Sequence, residues 1–497
     1  MKLRFAATLI AVAVVATAAV LAVRFAPRAP LSARIPSSTA IFDEQGRLLR
    51  LTLASDQQYR LWTRLEDVPE DFVAALLMHE DRHFYRHAGV NPAALARAAL
   101  SSYSGGARIG GSTITMQLAR LMYRLNTRSV GGKLQQIARA VQLEMCYSKR
   151  DLLEAHLNLM PYGGNIQGVG AASLIYFDKP AARLDLAESL ALVLIPQSPA
   201  RRAPSGKEGD DLRDARQRLF ARWAEAHPQA ADSAEHVAMP LKFGSLRQLP
   251  FAAPHFTDYV LQRNEGRAVR TTLDSRLQSL TERVLANYVR ERSSTGINNA
   301  SALLVDYRDM SVRAMVGSAD FNSAEIDGQV NGTLAKRSPG SALKPFIYAL
   351  AIDQGLIHPM TVLKDAPTSF GPYSPENFDG RFVGPITATD ALARSRNVPA
   401  VALSAQLTEP SFYDFLKVSG VSQLASERHY GLALTLGGGE VTPEETATLY
   451  AMLANRGRLA PLRYLADETH EPGSRMLSEE ASFMTLDMLR SAPRPDD

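Results

Sequence analysis

The sequence predicts a multidomain chain: an N-terminal transmembrane helix, a mainly-α domain, and then an α+β domain. Three observations predict it. Phe5 to Val23 is an uncharged apolar run. From about Leu65 to Glu225, apolar residues recur mostly at helical spacing. From about Thr257 the texture changes, and helical stretches alternate with short runs that read as paired strands. The chain has 497 residues, 46% of them apolar and 21% charged, a globular composition rather than a disordered one.

Nineteen helical residues from Phe5 to Val23 would span about 28 Å, roughly a hydrocarbon core. Lys2 and Arg4 precede the run, so the short N-terminus should stay cytoplasmic and the rest lie outside. The run is long for a signal-peptide core, which favours an uncleaved signal-anchor over residues 1–25. The small residues from Ala16 to Ala19 keep a cleaved signal as the rival reading. Residues 26–64 read as a tether and a hairpin, with Ala40 to Asp43 and Leu48 to Leu53 as strands and Glu44-Gln45-Gly46 as the turn.

The helical domain is expected over residues 65–225. Pro69 opens a helix from Glu70 to Arg82, with Phe72, Val73, Leu76 and Leu77 as its apolar stripe. Asn91-Pro92 caps a helix carrying Leu95 and Leu100. Ser112 or Thr113 caps one through Ile114, Leu118 and Leu121, and Ser148 and Asp151 form a capping box before Leu152 to Leu159. Asp185 to Ile195 is a further apolar helix, and residues 226–256 read as a polar, irregular linker. Within 257–497, Thr271-Thr272-Leu273-Asp274 opens a helix through Leu277, Leu280 and Leu285. Ala302 to Asp306 and Val312 to Val316 read as paired strands, and Glu444 to Asn455 as a helix.

The net charge is +4 with scattered basic residues, which argues against nucleic acid and is compatible with anionic lipid. The single cysteine, Cys146, excludes an internal disulfide framework, and its apolar neighbours predict a core thiol. Two patterns carry chemistry. Glu80 continues the apolar stripe of its helix, where desolvation would make its carboxylate a better proton acceptor. Glycines 110 and 111 precede a helix start, where free backbone N–H groups can meet a phosphate. Taken singly, each has an ordinary explanation: a Glu paired with Arg82 or Arg86 at a helix end, and a turn with a cap.

In combination they are specific. Glu80-Asp81-x-x-Phe84-x-x-His87-x-Gly89, followed by Gly110-Gly111-Ser112-Thr113-Ile114-Thr115-x-Gln117-Leu118-Ala119-Arg120, resembles the peptidoglycan glycosyltransferase domain of class A penicillin-binding proteins. The runs Tyr147 to Asn158 and Gly163 to Ala172 fit the same family. Further on, Ser341-Ala342-Leu343-Lys344 places a hydroxyl and an amine about one helical turn apart, and Ser395-Arg396-Asn397 follows. That pairing resembles the penicillin-binding transpeptidase fold, as does the run Gly437 to Pro443. The expected Lys-Thr-Gly or Lys-Ser-Gly is absent; Lys417-Val418-Ser419-Gly420 has an extra residue and lies too close after Asn397. The chain ends at Asp497 about where the family approaches that strand, so the second domain reads as truncated.

The resemblance implies a lysozyme-like glycosyltransferase domain and an incomplete acyl-serine transferase domain. The first would polymerise lipid II into glycan strands, releasing undecaprenyl pyrophosphate. By motif match Glu80 would be the base. Ser112, Thr113, Gln117 and Arg120 would line the donor site, and Lys133 would help neutralise the pyrophosphate. Gln136 stands where most members carry a second carboxylate, a departure that a subgroup of the family shares. In the second domain Ser341 would be the nucleophile and Lys344 its base. Ser395 and Asn397 would relay protons and orient substrate. Without the basic strand, the expectation is poor or absent transpeptidation, weak β-lactam acylation, and a second domain weakened by a cut sheet edge.

No cofactor is indicated, although the analogy leaves room for a divalent cation near the pyrophosphate. The implied partners are lipid II, nascent peptidoglycan and other cell-wall synthesis proteins. The implied location is the inner membrane, single-pass, with periplasmic catalytic domains. Two other classes stay open. One is a non-catalytic scaffold that binds lipid II or synthesis partners. The other is a serine acyl-enzyme hydrolase of the β-lactamase type, which explains Ser341 and Lys344 but not the N-terminal half.

Overall fold

In the computed structural model the described residues are 26–95, 97, 111–204 and 206–492. The expected membrane span, and the far part of the helix that Asn91-Pro92 begins, lie outside them. Among the described residues no helix is long and apolar enough to cross a membrane. The chain divides into two compact units. One takes the chain up to Ala40, then Arg50–Pro250 and Glu265–Val269; the other takes Ile41–Leu49, Phe251–Asn264 and the chain from Arg270 onward. The predicted hairpin forms from β1 (Ala40–Phe42) and β2 (Leu48–Leu51). Asp43 closes its turn, its Oδ1 accepting from the Gln45 and Arg47 amides at 2.9 Å each.

The first unit is helical. Its helices α1 (Glu70–Glu80), α2 (Ile114–Met122), α3 (Val130–Cys146), α4 (Lys149–Leu159), α5 (Val169–Phe177), α6 (Leu186–Leu194) and α7 (Asp210–Ala226) follow the predicted stretches. Helix α1 starts behind Pro69 and buries Phe72, Ala75 and Leu76. It ends two residues before the predicted Arg82. Asp81 turns extended, and its Oδ2 accepts from the Ile114 amide at 3.1 Å and lies 2.9 Å from His87 Nε2. Asp81 thereby ties the end of α1 to the start of α2. Gly89 permits a close approach nearby. Its φ is +86°, and a Cβ there would meet the Ala140 carbonyl oxygen at 2.9 Å, so only glycine fits without strain.

Both predicted α4 cap residues form a capping box: the Ser148 hydroxyl accepts from the Asp151 amide while the Asp151 carboxylate accepts from the Ser148 amide. Asp185 and Glu188 do the same for α6. Helix α2 packs on α3 and α4, and α6 receives α1 and α7. Helix α5 is buried from Val169 to Tyr176, which its nearly unbroken apolar sequence requires.

Two expectations are corrected. Residues 227–250 are not a loose linker, because Val237 and Phe243 are buried. The buried Arg216–Glu208 ion pair explains the order. Two charges removed from water need all their hydrogen bonds met. Arg216 donates to the Val237 and Met239 carbonyls, and Glu208 accepts from the Leu241 amide at 3.0 Å. Cys146 is not a core thiol but half-buried, at the last residue of α3.

In the second unit, Asp274 caps α8 (Ser275–Arg292), accepting from the Arg276 and Leu277 amides. Strands β3 (Ala302–Asp306) and β4 (Ser311–Val316) pair antiparallel, and α8 packs on β4. Helix α9 (Lys344–Asp353) runs buried from Lys344 to Ile352, following a 3-10 turn over Gly340–Leu343. The antiparallel pair β5 (Val362–Asp365) and β6 (Gly384–Thr387) follows, then α10 (Ala388–Ala393), α11 (Asn397–Ser404), α12 (Pro443–Ala454) and α13 (Glu479–Arg490), with α10, α11 and α13 packed on α9. Phe346, Ile347, Leu350, Phe415, Met452 and Met488 belong to one apolar cluster here.

Candidate active sites

The end of α1 brings Glu80 to a pocket of about 290 Å³ in the first unit. Ser112, Gln117, Arg120 and Gln136 line it too, so five of the predicted residues meet in one cavity. Gln117 donates its amide to Glu80 Oε2 at 2.8 Å, which fixes the plane of the carboxylate. The contact at the other oxygen is longer, with His79 Nε2 3.7 Å from Oε1. The ordinary reading of Glu80, a pair with Arg82 or Arg86, is not what forms.

Lys133 stands behind the lining. Its ammonium donates to Ser112 Oγ at 2.8 Å and to Gln136 Oε1 at 2.9 Å. Gln136 is 2% exposed and donates its amide to the Met116 carbonyl at 2.6 Å. The neutral side chain thus accepts on one side and donates on the other. Burial pushes the Lys133 amine below its ordinary value, and the Arg120 charge adds to this. Thr113 does not face the pocket. It is buried, its hydroxyl accepting from the Met116 amide at 3.1 Å and donating to the Gly89 carbonyl at 2.6 Å.

Sequence reasoning assigned no role to Thr127, His156, Met160, Pro196 or Gln197, which complete the lining. His156 sits inside a motif quoted above, but helical spacing alone does not reveal that it faces the cavity. Burial, with Arg120 adding, pushes His156 down to about 4, so its ring is neutral near neutral pH. Burial also lowers His79, against the opposing charge of Glu80. Around Glu80, therefore, the fixed positive charge comes from arginine and lysine rather than histidine.

Among the described residues no cluster of three or more His, Cys, Asp or Glu is placed to hold a metal ion. Among the described residues Glu80 is the one carboxylate that lines the pocket, and Gln136 is neutral. That donor set does not fit a divalent ion held by protein oxygens.

In the second unit three of the four predicted residues converge. Lys344 Nζ donates to the Ser395 carbonyl at 2.6 Å and to Asn397 Oδ1 at 2.6 Å, and lies 3.2 Å from Ser395 Oγ. Burial lowers Lys344 to about 8, with the Arg396 charge adding. Ser341 is exposed in the 3-10 turn one turn ahead of Lys344. Among the described residues its hydroxyl has no hydrogen-bond partner.

The turn that aims these acceptors is held by Arg396, which the motif leaves as an unspecified middle residue. Ser395 adopts a φ of +53°, an unfavourable conformation for a residue with a Cβ. Arg396 is buried, with Nε 2.8 Å from Asp365 Oδ2 and Nη1 3.0 Å from Asp379 Oδ2. The Asn397 amide donates to Asn377 Oδ1 at 2.8 Å. The two Asp carboxylates and Asn377 thus position the turn from outside.

Two family models match the chain. A transglycosylase model matches residues 45–224, and a penicillin-binding protein transpeptidase domain model matches residues 300–496. Penicillin-binding protein 1C of Escherichia coli is 37% identical over 444 residues, covering 88% of this chain and 57% of that protein. Penicillin-binding protein 2D of Bacillus subtilis is 30% identical over 493 residues, covering 92% of this chain and 69% of that protein. Penicillin-binding protein 1B of Vibrio cholerae is 30% identical, covering 84% of this chain and 56% of that protein. Against the first and third, the chain spans little more than half the relative's length.

Proposed function

Since the chain belongs to the class A penicillin-binding proteins, which join a transglycosylase to a penicillin-binding transpeptidase domain, we propose that its first unit polymerises lipid II into glycan strands. In this reading a growing glycan sits in the donor site on its undecaprenyl pyrophosphate. The 4-hydroxyl of an incoming lipid II attacks the anomeric carbon. The new C–O bond forms as the bond to pyrophosphate breaks, and the hydroxyl proton passes to Glu80. The leaving pyrophosphate carries the departing electron pair, and Arg120 and Lys133 offset its charge. The observation that carries the reading is Glu80, oriented by Gln117 in a pocket that also holds Arg120, with Lys133 bonded to two of its lining side chains.

In the second unit Ser341 is the nucleophile. Lys344, lowered toward neutrality, takes its proton, and Ser395 and Asn397 position the amine. These 497 residues include no Lys-Thr-Gly or Lys-Ser-Gly to meet a substrate carboxylate. Phe5 to Val23 anchors the chain in the inner membrane, with both units on the periplasmic side.

The test is polymerisation of labelled lipid II by the detergent-solubilised chain, with Glu80→Gln beside it. Polymer from the parent and a loss of about a hundredfold or more in the variant are expected, since a general base supplies that order of acceleration. An equally active Glu80→Gln would remove Glu80 from the reaction. No polymer from a folded parent would favour the scaffold.

A further inference from the structure

Helix α4 carries a histidine whose ring nitrogens find no partner among the described residues. His156 is 1% exposed, and neither Nδ1 nor Nε2 has a hydrogen-bond partner among the described residues. Burying two polar ring atoms unpaired costs free energy, and native structures rarely leave such atoms idle. The ring is not sealed in apolar core. It lines the same pocket as Glu80, Ser112 and Arg120, so a molecule entering that pocket can supply what the fold withholds.

The neighbours specify the chemistry of that molecule. Arg120 is the pocket's exposed cation, without an ion-pair partner among the described residues. The neutral ring has one N–H donor and one acceptor nitrogen. A guanidinium beside a neutral N–H donor suits an anionic oxygen, because both donate to it and the ring adds no repelling charge. We infer that His156 donates its ring N–H to a phosphoryl oxygen of the pyrophosphate-bearing ligand, beside Arg120. The inference rests on the proposed reading of this pocket and gives a ligand contact to a residue that lies within a quoted motif but to which motif match assigned no role.

Inorganic pyrophosphate is the probe. Calorimetric titration of the full-length protein in detergent at neutral pH compares the parent with His156→Phe and His156→Gln, each checked by thermal melting. His156→Phe removes the donor and should bind about tenfold more weakly, the loss of one hydrogen bond; His156→Gln keeps an N–H donor and should stay within about threefold. Should His156→Phe not fold, ring-nitrogen spectra of the histidine-labelled parent give a second readout, and the His156 signals should move when pyrophosphate is added. Unchanged affinity in a folded His156→Phe, or His156 signals that stay still at saturating pyrophosphate, would overturn the inference. A parent that polymerises lipid II but binds no pyrophosphate would overturn it alone. A folded parent that does neither would take the glycosyltransferase reading down with it.

Discussion

Gln136 shows how one side chain can stand in for another of different charge. The family pattern has a carboxylate there, and this chain has an amide that accepts from Lys133 and donates to the Met116 carbonyl. A glutamate could keep only the first of these contacts. Its second oxygen would face the carbonyl oxygen that the amide now meets at 2.6 Å. We expect Gln136→Glu to destabilise the protein by about 1–3 kcal/mol, the cost of leaving a buried polar group unpaired, and not to raise the polymerisation rate. Thermal melting and the lipid II assay check both parts. A stable, faster variant would mean that the site prefers a second carboxylate. Glu80, Ser112, Gln117 and Arg120 were legible in the sequence because their motifs are ordered and specific. For the cap the sequence left Ser112 and Thr113 open, and the structure gives it to Thr113, which it turns away from the pocket. His156 and Arg396 were not legible, because each takes its importance from neighbours distant in the chain.

Helix α9 illustrates how an element changes the chemistry of a residue. Its burial from Lys344 to Ile352 comes from an apolar sequence packed on α11 and α13. Lys344 is carried into that environment at the first helical position. Desolvation penalises the ammonium, and Arg396 penalises it further, so the amine is lowered to about 8. The sign follows: below that value the amine is protonated and cannot accept from Ser341, and above it the free base dominates. Acylation of Ser341 by a labelled penicillin should rise with pH, with its midpoint at about 8, and level off above it. A flat profile over that range would remove Lys344 as the base. Spacing in the sequence put Ser341 and Lys344 on one face of a helix start. The lowered amine depends on packing that no local pattern encodes. Helix α1 makes the same point, since its end is set by the contact of Asp81 with Ile114, far away in sequence.

For the chain as a unit of function, membrane attachment is the expectation with the most direct test. Deleting residues 2–24 should move the protein from the detergent-requiring membrane fraction to the soluble fraction, because the apolar run supplies the anchoring free energy. N-terminal sequencing of the undeleted protein separates the two readings of that run. An intact Met1 supports the signal-anchor, and a new terminus near Ala19 supports cleavage. The sequence by itself determined the helical first unit, the mixed second unit, the hairpin and the motifs, because helix periodicity, caps and turns are local properties of neighbouring residues. It read residues 226–256 as a loose linker, whereas Val237 and Phe243 are buried, the first beside the carbonyl that Arg216 bonds and the second against the Tyr176 and Phe177 rings. Only the tertiary structure decided which side chains share a cavity. It placed His156 beside Arg120 with no hydrogen-bond partner among the described residues, and turned Thr113 inward. It also set the lysine low, because desolvation and hydrogen bonding depend on groups that meet only after the chain has folded.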